Sequence, residues 1–473
     1  MRPPEELSAT ATVWPSAFSR SPSSAASASS CSTAISFFLA SRCARAHDAG
    51  QLEHASIFPG GYFMDAQSQW TGLDAGRLER IGEHLERNYI GPGKIAGCQV
   101  SVARHGHLAC FKSFGQMDRE RAKPTADDTI YRIYSMTKPI TSVALMTLYE
   151  KGYFQLNDPV SRYVPSWKNH RVWVSGDGAD MQTEAPSRPV SFRDVLSHQA
   201  GFTYGGGLPG VGIQHPIDKV YRELKVRSVG GADSMQAFLD KLSQVPLRYQ
   251  PGQAWMYSLA TDVCGALVEV IAGKPFAQYL QDEIFDPLGM KDTSFFVAPD
   301  KVDRFAANYQ RGADKSLKLI DDPATSDFTR DPGFKSGGGG LTGTSADYLR
   351  FCEMLRRGGE LDGARILGPR TIEVMHMNHL AGGKDLTQLA IGGFSETANE
   401  GVGFGLGFAS TMGQVQTGTL GVGDYYWGGA ASTIFWVDPK EDLSVVFMTQ
   451  LMPSGTFNFR GQLKSIIYSS IID

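Results

Sequence analysis

The sequence predicts an α/β fold assembled from both ends of the chain and interrupted by an α-helical insert. Three observations predict it. Short apolar, strand-like segments bounded by turn residues lie near residues 99–111, and they return at 432–448. Between 161 and 335 the pattern changes to helical segments separated by long loops containing Gly and Pro. Strands at both ends with helices between them fit one layered domain that draws on both termini. The expected boundaries are 64–160 with 336–473 for the α/β domain, and 161–335 for the helical insert. Clefts between two such units are common places for active sites.

Residues 1–63 are dominated by Ser and Ala, contain no Lys and show no periodicity. They read as a disordered leader or as sequence preceding a true start at Met64. The apolar piece at 34–40 is short and lacks a basic run before it, while Glu5 and Glu6 count against a transit peptide. The expected location is therefore cytoplasmic.

Within the body, residues 99–103 and 108–111 flank His105-Gly106 as a hairpin. An extended segment at 129–134 leads into an apolar helix at 140–151, which ends at Gly152. Further helices are expected at 192–197, 234–242, 258–272 and 276–285. The third carries Leu259, Val263, Leu267, Val270 and Ile271 on an apolar face, with Gly273 as its stop. The glycine run 337–340 precedes a helix at 346–357. Strands at 432–437 and 444–448 are joined by a turn containing Asp438-Pro439. An amphipathic helix at 458–472, carrying Leu463, Ile466, Ile467 and Ile471, closes the chain.

The bulk composition excludes several classes. A hydrophobic content of 42% with 20% charged residues is that of an ordinary soluble globular protein. A net charge of −4 gives no electrostatic case for nucleic acid or an anionic membrane. The six cysteines are scattered without a CxxC, which argues against a zinc knuckle or a disulfide framework. No run approaches the roughly 18 apolar residues of a membrane helix.

The chemistry centres on Ser135-Met136-Thr137-Lys138, the one Ser-x-x-Lys in the chain. Residues three apart on a helix share a face, so Lys138 can reach the Ser135 hydroxyl. A serine at a helix start also feels the positive end of the dipole, which favours negative charge on its oxygen. Pro139 falls in the first turn, where its missing N–H costs little. A serine hydroxyl needs a base to become a nucleophile. The Gly-x-Ser-x-Gly elbow of Ser-His-Asp hydrolases is absent, whereas Ser-Lys dyads are a convergent alternative. The lysine serves only if the site destabilises its charge.

Two further motifs follow in order: Tyr257-Ser258-Leu259, preceded by Pro251-Gly252, and Trp427-Gly428-Gly429. Lesser echoes are Leu196-Ser197-His198-Gln199-Ala200-Gly201 and the glycine run before Leu341. Taken singly, each has a plainer reading. Tyr257 would be a buried aromatic at a helix start, and Trp427 a core residue at a strand-end turn. The glycine run lacks a following Gly-Lys-Ser/Thr and reads as a backbone turn. His376 and His379 are spaced for a metal, but no Glu lies between them and no third ligand is evident, so they read as surface histidines. His105-Gly106-His107 reads as a hairpin turn.

As an ordered set, the three motifs resemble the serine β-lactamase and penicillin-binding-protein superfamily, in particular the class C-like carboxylesterases of family VIII. The resemblance covers residues 70 to the end. It implies a β-lactamase/transpeptidase-like fold, with a central antiparallel sheet flanked by helices and an inserted helical domain. It implies no cofactor and no metal, and a small-molecule ester as substrate. Ser135 becomes the nucleophile, and Lys138 and Tyr257 share the proton work. The N–H groups of Ser135 and Ala430 form the oxyanion hole, and Trp427, Gly428 and Gly429 bind substrate. Two departures shift the specificity. Leu259 stands where class C β-lactamases carry Asn, and Trp427 where β-lactamases and peptidases carry the lysine of Lys-Thr-Gly. Losing that cation favours neutral acyl esters. The rival readings are a β-lactamase or D,D-peptidase, an acyltransferase using the same dyad, and a binding protein that has lost the chemistry.

Overall fold

Strands β1 (Gly97–Arg104) and β2 (His107–Asp118) form the expected hairpin. His105 and Gly106 both adopt positive φ, 54° and 79°, as a two-residue turn between right-twisted strands requires. This computed structural model describes residues 68–206, 215–226, 234–392 and 400–473. The leader assigned to residues 1–63 lies outside them.

The hairpin is built into an eight-stranded antiparallel sheet. Its other strands are β3 (Lys123–Pro124), β4 (Val402–Phe404), β5 (Ala409–Thr411), β6 (Tyr425–Gly428), β7 (Ile434–Asp438) and β8 (Leu443–Thr449), in the order β4-β5-β6-β7-β8-β1-β2-β3. Strand β1 pairs with β8, Cys98 opposite Thr449 through Arg104 opposite Leu443, so the two ends of the chain meet in mid-sheet. Both strands are buried along their whole length because helices cover both faces. On one face Tyr348 of a helix at Ser345–Arg356 lies 5.0 Å from the Phe435 ring. On the other, Phe459 of the closing helix Phe459–Tyr468 lies 4.8 Å from Phe447, which is on the opposite face of the sheet from Phe435. The fold class expected from the sequence is the one observed.

The segment 161–335 carries the expected helices at Phe192–Leu196, Met235–Leu242, Ala260–Ala272 and Phe276–Leu280, with another at Pro216–Glu223. It also carries two hairpins absent from the sequence reading, Val172–Ser175 with Gln182–Glu184 and Asn308–Arg311 with Leu317–Asp321. Their strands are three to five residues long, too short for a period-2 pattern to stand out.

One buried carboxylate gives the fold a pH dependence. Asp347, in the first turn of the helix at Ser345–Arg356, accepts the Asp292 N–H and the Thr293 hydroxyl, both at 2.8 Å. Burial pushes its carboxyl up to about 6, and those two hydrogen bonds oppose the rise. Because the folded pKa exceeds the unfolded one, stability from this group is present below pH 4 and is lost as pH rises toward 6. Asp347→Asn should remove that loss, gaining about 2–3 kcal/mol relative to wild type between pH 4 and pH 7.5. Denaturant unfolding at the two pH values checks this; the same pH response in both proteins would refute it.

Candidate active site

The turn that carries Ser135 begins on a short strand. Ile130–Arg132 pairs antiparallel with Thr342–Thr344 and delivers the chain into a 3-10 turn, Tyr134–Met136. This turn runs directly into helix α1 (Thr137–Glu150). Tyr134 holds a positive φ of 43°, rare for a bulky residue. Its ring is fixed by the Asn308 amide, which donates to its hydroxyl at 3.1 Å, and by an edge-on contact with Phe328. Helix α1 is buried from Thr137 to Leu148, as an all-round apolar helix must be. Ser135 sits half-buried at its head, and Lys138 is only 1% exposed. The lysine Nζ donates to Ser135 Oγ at 3.1 Å and to the Gly338 carbonyl at 2.6 Å. The spacing of three puts the two side chains together, as the sequence suggests.

Tyr257 comes from the loop before helix α2 (Ala260–Ala272). Its ring centroid is 4.5 Å from Lys138 Nζ, and its hydroxyl accepts the Trp427 indole N–H at 3.3 Å. The first, second and third motifs thus converge in space. Around Tyr257 stand Tyr204 at 5.4 Å, Trp255 at 6.2 Å and Trp427 at 5.4 Å between ring centroids. Trp427 is fully buried, packs edge-to-face with Phe404 and donates its indole N–H to Tyr257. Leu259 is also fully buried.

His198, which the sequence offers only within a minor echo, brackets Tyr257 from behind. Its ring nitrogens lie 3.3 Å from Ser258 Oγ and 3.3 Å from Thr261 Oγ1, and its carbonyl accepts the Met256 N–H at 3.0 Å. Burial, aided by the nearby Lys138 charge, pushes the imidazole well below its ordinary range, so the ring is neutral at neutral pH. Each nitrogen then has one hydroxyl partner, one donating and one accepting.

The turn after β6 closes the site from the sheet side. Gly429 N–H donates to Thr433 O at 2.7 Å, and Ser432 N–H returns to Gly429 O at 3.0 Å. A Cβ on Gly429 would lie 2.4 Å from the Ile133 carbonyl, so this turn rests directly on the backbone leading to Ser135. Ala430 is half-buried in the same turn. The N–H groups of Ser135 and Ala430 take no acceptor among the described residues.

The remaining candidates find ordinary partners. His376 and His379 are partly buried rather than surface residues: His376 stacks on Tyr425 at 4.6 Å, and His379 Nε2 lies 2.8 Å from Val374 O. Among the described residues no group of three or more His, Cys, Asp or Glu could hold a metal ion, and no helix is long and apolar enough to cross a membrane. Cys98, Cys110, Cys264 and Cys352 are buried free thiols.

A helix-headed Ser-x-x-Lys beside an antiparallel sheet covered by helices on both faces defines a β-lactamase/transpeptidase-like fold. The chain belongs to the Beta-lactamase family, whose profile matches residues 83–464. Protein Rv1367c of Mycobacterium tuberculosis (strain ATCC 25618 / H37Rv) is 31% identical over 371 residues, covering 78% of this chain and 88% of its own. Esterase EstB of Burkholderia gladioli is 30% identical over 421 residues, covering 85% and 95%. Among solved structures, EstCE1, a hydrolase with promiscuous acyltransferase activity, matches with a TM-score of 0.67 at 28% identity, over 84% of this chain and 99% of its own. The likeness to EstB and EstCE1 supports a family VIII-like esterase within this superfamily.

Proposed function

We propose that the protein is a serine carboxylesterase that hydrolyses short-chain acyl esters through an acyl-enzyme on Ser135. The observation that carries this reading is the Lys138 amine 3.1 Å from Ser135 Oγ, with the Tyr257 ring over that amine. Ser135 Oγ attacks the ester carbonyl while its proton passes to the Lys138–Tyr257 pair, and the same pair returns a proton to the departing alkoxide. The N–H groups of Ser135 and Ala430 are suited to receive the oxyanion, since they have no acceptor among the described residues. Water then attacks the acyl carbonyl, the Oγ–acyl bond breaks and the carboxylic acid leaves.

Trp427 sets the substrate class. Its indole N–H serves Tyr257, and its position holds no cation for a substrate carboxylate, so neutral esters are favoured over β-lactams and peptides. The purified protein should hydrolyse p-nitrophenyl butyrate much faster than nitrocefin, and a fluorophosphonate should label Ser135. Labelling at another serine would remove Ser135 from its role, and faster turnover of nitrocefin would overturn the argument from Trp427. A second reading, acyl transfer to an alcohol, is favoured by the acyltransferase activity of EstCE1. It shares the acyl-enzyme and is separated by adding alcohol acceptors and assaying for ester products.

A further inference from the structure

We propose that Asp262 is a positioning residue for the Ser135–Lys138 pair and acts through the backbone of Gly338. This rests on the reading of Ser135 as the nucleophile. Asp262 is the one acidic residue in the first turn of α2, in a stretch buried from Ala260 to Val268, and is itself 0% exposed. A buried carboxylate is costly unless its oxygens are satisfied. Its Oδ1 accepts the Gly338 N–H at 3.0 Å and the Ser336 hydroxyl at 2.5 Å. The carbonyl of that same Gly338 accepts the Lys138 amine at 2.6 Å. The two backbone groups of one glycine are therefore held between a carboxylate on α2 and the amine on α1.

The rest of the glycine turn is tied to α1. Thr141 Oγ1 donates to Gly337 O at 2.8 Å, and Leu341 N–H donates to Thr137 Oγ1 at 3.1 Å. Asp262 supplies the opposing tie that sets where the Gly338 carbonyl points. The approach is too close for any side chain. A Cβ on Gly338 would lie 2.7 Å from Asp262 Oδ2, and one on Gly337 would lie 2.7 Å from the Thr261 carbonyl. Oδ2 itself has no hydrogen-bond partner among the described residues, so the ties of this carboxylate to the protein run through Oδ1. A carbonyl displaced by about 1 Å would let the amine swing off Ser135 Oγ, and displacements of that size cost up to about a hundredfold in rate.

The test measures kcat and KM for p-nitrophenyl butyrate, and the rate of fluorophosphonate labelling, in wild type, Asp262→Ala, Asp262→Asn and Gly338→Ala. In Asp262→Ala, kcat and labelling rate should fall together by roughly tenfold to a hundredfold, while KM stays within about threefold. Asp262→Asn keeps an acceptor oxygen and should restore both rates to within about fivefold of wild type. Gly338→Ala should reproduce the Asp262→Ala loss, and it decides the matter if Asp262→Ala does not fold. Wild-type rates in folded Asp262→Ala or Gly338→Ala, a loss confined to KM, or an Asn variant as slow as the Ala variant would each overturn the proposal. The reading on which it rests fails separately, if the wild-type protein is not labelled at Ser135.

Discussion

Lys138→Arg should bind ester substrate and fail to turn it over, with kcat lower by roughly a thousandfold or more, as for a member of a unit that acts together. Arginine retains a positive charge near Ser135 Oγ but cannot release its proton at any working pH, so it cannot accept one from the serine. Lys138→Met, which removes the amine at similar length, should fall as far. Ser135→Ala should match both, and the double variant Ser135→Ala/Lys138→Ala should be no slower than either single variant, as the proposed acyl-enzyme route requires of two residues that act as a unit. Tyr257→Phe keeps the ring over the amine but removes the hydroxyl that accepts the Trp427 indole N–H. It should also lose most of the activity. Steady-state kinetics on p-nitrophenyl butyrate with quantified active protein checks the series. Full hydrolysis by Lys138→Arg would show that Lys138 acts only as a fixed charge.

The parts of this site legible in the sequence were those separated by few residues. Ser135 and Lys138 lie one helical turn apart, so local geometry alone joins them. The β1–β2 turn is equally local, and its His-Gly pair announces it. Contacts across long separations could not be read from spacing. The meeting of Tyr257 with Trp427, 170 residues apart, was available only through the order of the motifs. Asp262 and Gly338, 76 residues apart, left a weaker signal: an acid in the first turn of a mostly apolar helix, and a glycine run without phosphate-loop residues. Neither names the other. Strands β4 and β5 escaped notice because each has three residues, too few to show alternation.

Gly429→Ala should be the more damaging single methyl in the Trp427-Gly428-Gly429 motif, although neither Gly428 nor Gly429 adopts the left-handed φ that would itself demand glycine. The reason is proximity. A Cβ on Gly429 would lie 2.3 Å from Thr433 Oγ1 and 2.4 Å from the Ile133 carbonyl. The threonine hydroxyl can rotate away, but the carbonyl belongs to the backbone two residues before Ser135 and cannot. The turn carrying Ala430 must then move away from the Ser135 backbone by about 1 Å, a displacement that costs on the order of a hundredfold in kcat if Ser135 acts as proposed. Overpacking of this kind also costs about 1–3 kcal/mol of stability. Gly428→Ala is the control. Its Cβ would meet Thr433 O at 3.0 Å, Ile434 Cγ2 at 3.2 Å and Arg460 Nη2 at 3.4 Å, contacts that small shifts relieve. Its kcat should stay within about tenfold of wild type. Kinetics and melting curves on both variants check the ranking. A Gly429→Ala enzyme with wild-type kcat would mean that the turn does not set the geometry around Ser135, and with it would go the case for Ala430 as an oxyanion donor.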